Sequence, residues 1–282
     1  MNKTETGWMD IVLYLVVFLL IGFLAKPLVQ LGYGLIAGIP LHNVFNAALM
    51  SEEQTRWIMI ASMVLSSILT IVIFLWRKWS PFSRSYLQSN PWAVIVWTIL
   101  LACGSILPSE WMSEELEMHF TIFSVPAYLE QMEVMLMKSP LGYLAVGIFV
   151  PIAEEMVFRG AILRCLLKFF DQRKHWWPIV ISALLFALVH GNLLQGTHAF
   201  LVGLLIGWMY YRTDSIVPGI VFHWINNSVA FLMIHLMPQM NDGKLIDLFH
   251  GDSKMMWMGL GFSLCIFLPS LFQLMIRLKK SN

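Results

Sequence analysis

The apolar positions of this chain run in long unbroken blocks, neither alternating as in a half-buried strand nor confined to one helical stripe. A transmembrane helix needs about 20 consecutive apolar residues, because the hydrocarbon core is roughly 30 Å thick and an α-helix rises about 1.5 Å per residue. Eight blocks approach that length. Residues 11–38 are interrupted by Lys26-Pro27, where a kink is expected, and residues 57–76 are closed by Arg77-Lys78. Residues 92–107 form a short block that stops at Pro108, and residues 141–170 turn basic past Arg164. Residues 177–190, 198–211, 217–236 and 255–278 complete the series. The expected fold class is all-α, a polytopic membrane helix bundle of about eight transmembrane helices.

Composition turns this pattern into a statement about solvent. Of 282 residues, 58% are hydrophobic and 12% charged, about half the charged fraction of a soluble domain. So few charges cannot cover a water-facing surface, and the partner of this surface is membrane lipid. No repeat, low-complexity run or separate soluble stretch breaks the chain, so residues 1–282 read as a single membrane domain. No small-residue cleavage site follows the first apolar run, which therefore reads as a retained helix. A net charge of +1 gives no pull toward nucleic acid. Cys103, Cys165 and Cys265 are far apart in apolar runs and read as small hydrophobes, not as disulfides or a zinc knuckle.

Charge placement predicts orientation. If eight spans alternate from a cytoplasmic N-terminus, the inside segments hold Lys3, Arg77, Lys78, Arg84, Arg164, Lys168, Arg173, Lys174, Arg212, Arg277, Lys279 and Lys280. The outside segments hold Arg56, Lys138, Lys244 and Lys254. This is the positive-inside bias, and it places both termini in the cytoplasm of a bacterial-type plasma membrane. Outside lies the acidic stretch 109–139, with Glu110, Glu114, Glu115, Glu117, Glu130 and Glu133. It reads as a solvated loop with lipid-dipping aromatics in preference to an amphipathic helix that guides substrate.

Ionisable residues at membrane depth cost about 2.5–3.5 kcal/mol each on insertion scales, so each needs a reason. Glu155 and Arg159 are four apart on one helix face, in the favoured order, and are expected to neutralise each other. Glu154 projects about 100° away and lacks that partner, which suits a general base. His190 follows Phe186 by four residues on the fifth block, and His223 and Asn227 share a face of the seventh. At about 1.5 Å per residue, Glu154 and His190 lie about 20 Å, and Asn227 about 15 Å, from one end of their spans. These groups, on three helices, are expected to converge near mid-membrane.

Glu154-Glu155-Met-Val-Phe-Arg159 resembles an EExxxR motif, Phe186-Ala-Leu-Val-His190 an FxxxH motif, and His223-Trp-Ile-Asn-Asn227 an HxxxN/D motif. Three such motifs in this order are similar to the signature of the CPBP intramembrane proteases, which include type II CAAX prenyl endopeptidases, Abi proteins and lysostaphin-resistance-protein-A-like proteins. The motif-bearing core is 141–236. The resemblance implies that Glu154 and His190 activate water, that His223 and Asn227 stabilise the oxyanion, and that Glu155 and Arg159 support Glu154. It implies an intramembrane endopeptidase acting on a peptide or membrane-protein substrate. The chain has no His-Glu-x-x-His zinc run. Glu154, His190 and His223 are nevertheless the candidate ligands if zinc takes part, and a metal-free glutamate–histidine pair is equally open. Two other functions also use buried Glu and His: a proton-coupled transporter, whose repeats this sequence lacks, and a non-catalytic membrane immunity or scaffold protein.

Overall fold

The structure, a computed structural model, describes residues 3–46, 49–81, 86, 91–170, 174–236 and 244–278. Arg84, Arg173, Lys279 and Lys280 of the charge pattern lie outside them. Among the described residues there is no strand. Seven helices among the described residues are long and apolar enough to cross a membrane. They are α1 (Lys3–Ala37), α2 (Glu52–Trp76), α3 (Trp92–His119), α5 (Pro140–Leu166), α7 (Leu193–Thr213), α8 (Val217–Leu236) and α9 (Ser253–Arg277). Two shorter helices are α4 (Ala127–Met137) and α6 (Trp176–Leu188). The chain is an all-α integral membrane protein.

The block at 177–190, expected as an eighth full span, is α6, whose 13 residues reach only about 20 Å. It ends early because Val189 and His190 form a turn and Gly191 takes φ +76°. That left-handed conformation favours glycine and closes helices. Asn192 then caps α7 by accepting from the Gln195 backbone N–H at 2.8 Å.

Pro108 does not mark the boundary expected there, and the block with Pro27 is a single helix. Helix α1 runs through Pro27 and begins early enough to include Asp10, and α3 runs through Pro108 to His119. Pro108 has no N–H for the Gly104 carbonyl four residues back. Ser263 of α9 donates its hydroxyl to that carbonyl at 3.0 Å. The helices can approach this closely because Gly104 has no side chain: a Cβ there would sit 2.7 Å from the Phe267 nitrogen. The acidic stretch is correspondingly helical rather than a loop. Its first glutamates ride the end of α3, where Glu114 accepts from the Leu245 N–H and Glu117 from the Val125 N–H.

Helix α5 is the axis of the bundle. Half of its apolar stretch is buried inside the protein, against 11% for α1. Two stretches of it, Leu144–Phe149 and Met156–Leu163, are π-helical, and every residue of the second is buried. Wide turns of this kind loosen the backbone ladder and recur at functional sites. Here the Ser182 hydroxyl of α6 donates to the Phe158 carbonyl at 2.8 Å. Phe158, Ile162 and Leu163 pack with Ile179 and Phe186 of α6, Ile206 of α7 and Phe222 of α8. These neighbours fix which way the two glutamates of α5 face.

Candidate active site

Glu155 and Arg159 form the sealed half of the site. Their side chains are 0% and 1% exposed and meet at 2.7 Å, Oε1 to Nη1. The guanidinium also lies 4.4 Å over the Phe186 ring, and its Nη2 donates to the Gly203 carbonyl at 3.4 Å. A buried charge pair needs such supplementary partners, because desolvation otherwise outweighs attraction. Helix α8 comes against the pair at Gly219, where a Cβ would sit 2.5 Å from Glu155 Oε2. Gly219 escaped the sequence reading; its one signal was a small residue one helical turn before the motif histidine.

Glu154 and His223 form the open half, with 14% and 12% of their side chains exposed. Glu154 Oε2 lies 3.8 Å from His223 Nε2, outside direct hydrogen-bond reach and within reach of one shared water. The other ring nitrogen, Nδ1, faces Glu155 Oε1 at 3.7 Å. The imidazole of α8 thus stands between the two adjacent carboxylates of α5. Neither carboxylate is within direct hydrogen-bond distance of the ring, at 3.7 Å and 3.8 Å.

His190 belongs to the turn after α6 rather than to a helix face. Its Nδ1 lies 2.8 Å from the Phe186 carbonyl. A carbonyl only accepts, so Nδ1 carries the proton, and in the neutral ring Nε2 is left as an acceptor. Its ring stands edge-on to Phe186 at 4.8 Å, and His223 does the same from 6.0 Å. Phe186, 2% exposed, is thus the apolar spacer between Arg159 and both histidines. His190, His223, Glu155 and Arg159 all lie within electrostatic range of Glu154. His198, near the start of α7, lies within range of His190 and His223 and was not singled out from sequence.

Asn227 donates its amide to the Val146 carbonyl at 2.9 Å, binding α8 to the first π-helical stretch of α5. Its second N–H remains for another acceptor. Beside it, Trp224 Nε1 donates to Tyr143 Oη at 2.8 Å, and that hydroxyl is 2.9 Å from Ser228 Oγ. Tyr143, Trp224 and Ser228 brace this joint; the four-residue spacing of 224 and 228 was the available signal.

A cavity of about 330 Å³ reaches Glu154. Its walls are Phe18, Leu19, Gly22 and Phe23 of α1, Met63, Ser66, Ser67 and Thr70 of α2, and Val150, Ala153 and Val189 around the glutamate. Leu19 and Phe23 are exposed on the lipid-facing side. The site therefore has an apolar approach from α1 and a hydroxyl-bearing wall from α2.

Residues 137–229 match the family model of the Rce1-like type II CAAX prenyl endopeptidases. The match, about a third of the chain, spans α5 to α8 and holds all three motifs. It coincides with the stretch that resembles the CPBP proteases, and the family it names is one of endopeptidases, hydrolases of peptide bonds. Helices α1, α2, α3 and α9 lie outside it. Among curated proteins and solved structures no match is found.

Zinc would need at least three donors converging on one point. Among the described residues no three His, Cys, Asp or Glu side chains form a group that could hold a metal ion. Glu154, His190 and His223 as placed do not fit such a centre.

Proposed function

We propose that this chain is an intramembrane endopeptidase of the CPBP type. The observation that carries the reading is a partly open carboxylate, Glu154, that borders a cavity and lies 3.8 Å from His223. Glu154 takes a proton from water while His190 Nε2 orients that water. The water oxygen attacks the scissile carbonyl carbon, and the displaced electron pair settles on the carbonyl oxygen. His223 and the second N–H of Asn227 donate to that oxyanion. Glu154 then returns its proton to the departing amine as the C–N bond breaks. Arg159 holds Glu155, whose charge lies beside His223; neither Glu155 nor Arg159 exchanges a proton with substrate. Substrate is a membrane-embedded peptide whose apolar flank lies in the cavity between α1 and α2.

Purified protein in detergent, incubated with a library of apolar peptides and read by mass spectrometry, tests this. Discrete cleavage products that vanish with Glu154→Gln are expected; products unchanged in that variant overturn the assignment. The same experiment run with a chelator and with added zinc asks whether a metal supports the reaction. The charge bias of the segments before α6 further supports a cytoplasmic N-terminus and an outer position for residues 109–139. A cysteine introduced at Lys138 should label from the outer face; labelling from the cytoplasmic face alone reverses the topology.

A further inference from the structure

A second cavity, of about 680 Å³, lies where three helices reach their ends, away from Glu154. Gly7, Asp10 and Tyr14 line it from the start of α1, and Lys78 and Trp79 from just past the end of α2. The last turn of α5 and the residues after it add Ala161, Arg164, Cys165, Lys168 and Phe169. Along α5, Arg164 is about 15 Å from Glu154 at 1.5 Å per residue. Glu154 is near the middle of α5, so the cavity lies at one end of the apolar spans, the end where the chain concentrates its cations.

Three cations face one carboxylate there. Among the described residues, no ion pair involves Lys78, Arg164, Lys168 or Asp10. Asp10 of α1 and Arg164 of α5 both line the cavity and do not pair; Asp214 is the other nearby acid, beside Tyr210. The wall between the charges is aromatic. Trp79 packs on Tyr14 at 5.0 Å and on Phe74 at 5.2 Å, and Phe169 stacks with Trp8 at 6.4 Å. Such rings suit the membrane–water boundary.

Lys78 supplies an independent sign. It takes φ +56°, in the left-handed position that ends α2, while the next N–H, of Trp79, returns to the Phe74 carbonyl at 2.9 Å. Glycine is the residue this closing motif favours, because a side chain there meets its own backbone. The chain instead keeps a lysine, and that lysine lines the cavity.

We propose that this cavity binds the headgroup of an anionic phospholipid. Its phosphate oxygens lie on Arg164, Lys168 and Lys78, and a headgroup hydroxyl donates to Asp10. Basic cavities between helices at a cytoplasmic surface suit such headgroups. The bound lipid would tie together the ends of α1, α2 and α5, the helices whose middles wall the Glu154 cavity. The site does not depend on the protease reading.

The test uses the full-length protein in micelles carrying phosphatidylglycerol, phosphatidylcholine, or phosphatidylcholine with inorganic phosphate. Lipid retention is read by native mass spectrometry and stability by the thermal midpoint. Phosphatidylglycerol should be retained one-to-one and raise the midpoint, with phosphatidylcholine doing neither. Arg164→Gln and Lys168→Gln should each weaken retention at least ~tenfold, the effect of losing one charge-assisted hydrogen bond. Lys78→Gly keeps the test independent of folding: without lipid its midpoint should rise, while phosphatidylglycerol retention falls. Equal protection by inorganic phosphate would overturn the lipid in favour of a free anion. Equal retention of both lipids, or variants that keep phosphatidylglycerol like the parent, would show cations that serve only the helix ends.

Discussion

Two sides of one helix divide the chemistry of this protein. On one side of α5, Glu155 is fully buried, held at 2.7 Å by Arg159, with Gly219 pressed against its carboxylate. On the other, the adjacent Glu154 keeps 14% of its side chain exposed, borders a cavity and faces His223 across 3.8 Å. Two identical side chains one residue apart thus meet opposite surroundings. The first is fully enclosed with a charged partner; the second borders a cavity and has no charged partner within hydrogen-bond distance. The lesson is that a buried carboxylate becomes chemically useful through what is withheld from it, namely a strong fixed partner.

The largest effect should come from the sealed side. Glu155→Gln leaves the Arg159 cation without its counter-charge, and breaking a buried pair in this way costs about 3–5 kcal/mol. The yield of folded protein and its thermal midpoint in detergent should both drop. Glu155→Gln combined with Arg159→Met removes both charges and should recover much of that loss. If the double variant is worse than the single, the pair is not the unit described here.

On the open side, Glu154→Gln should leave the thermal midpoint within a few degrees while peptide cleavage falls at least ~100-fold, a barrier increase of roughly 2.7 kcal/mol. A well-folded, inactive Glu155→Gln beside an active Glu154→Gln would exchange the two roles and break the comparison.

Gly219→Ala probes the contact between the two sides. The new methyl would meet Glu155 Oε2 at 2.5 Å and Ile206 Cγ2 at 2.6 Å. Overpacking of this kind costs about 1–3 kcal/mol. It should also turn His223, so activity per folded molecule should drop more than in an equally destabilised variant remote from the site. Activity that follows stability alone would reduce Gly219 to a packing residue.

The smallest effect on stability is expected at Gly22, which lines the Glu154 cavity and has no atom within 4 Å of where a Cβ would stand. Gly22→Leu should change stability by less than about 0.5 kcal/mol. It should slow cleavage of peptides with bulky apolar flanks more than of those with small ones. Equal slowing of both would place the substrate elsewhere.

Much of this was legible in the chain itself. Block lengths gave the membrane bundle, since lipid leaves backbone groups little choice but helix. Four-residue spacings placed Glu155 with Arg159 on one face, and motif order pointed to Glu154, His190, His223 and Asn227. Helical geometry works at this range because it is local. What it could not supply was anything that depends on a neighbour. Pro108 reads as a stop, yet Ser263 of a distant helix takes over the carbonyl that the proline frees. The block at 177–190 reads as a span, yet it closes at Leu188, and the turn this creates aims His190 Nδ1 at the Phe186 carbonyl. The π-helical turns of α5, the fit of Gly219 to Glu155, and the cavity shared by α1 and α2 arise only when helices far apart in sequence are packed together. Composition and periodicity determined that this chain lives in a membrane and carries a set of polar residues there. Tertiary packing decided which carboxylate is locked and which is left open, because burial and partnership are properties of contacts between elements, not of any one of them.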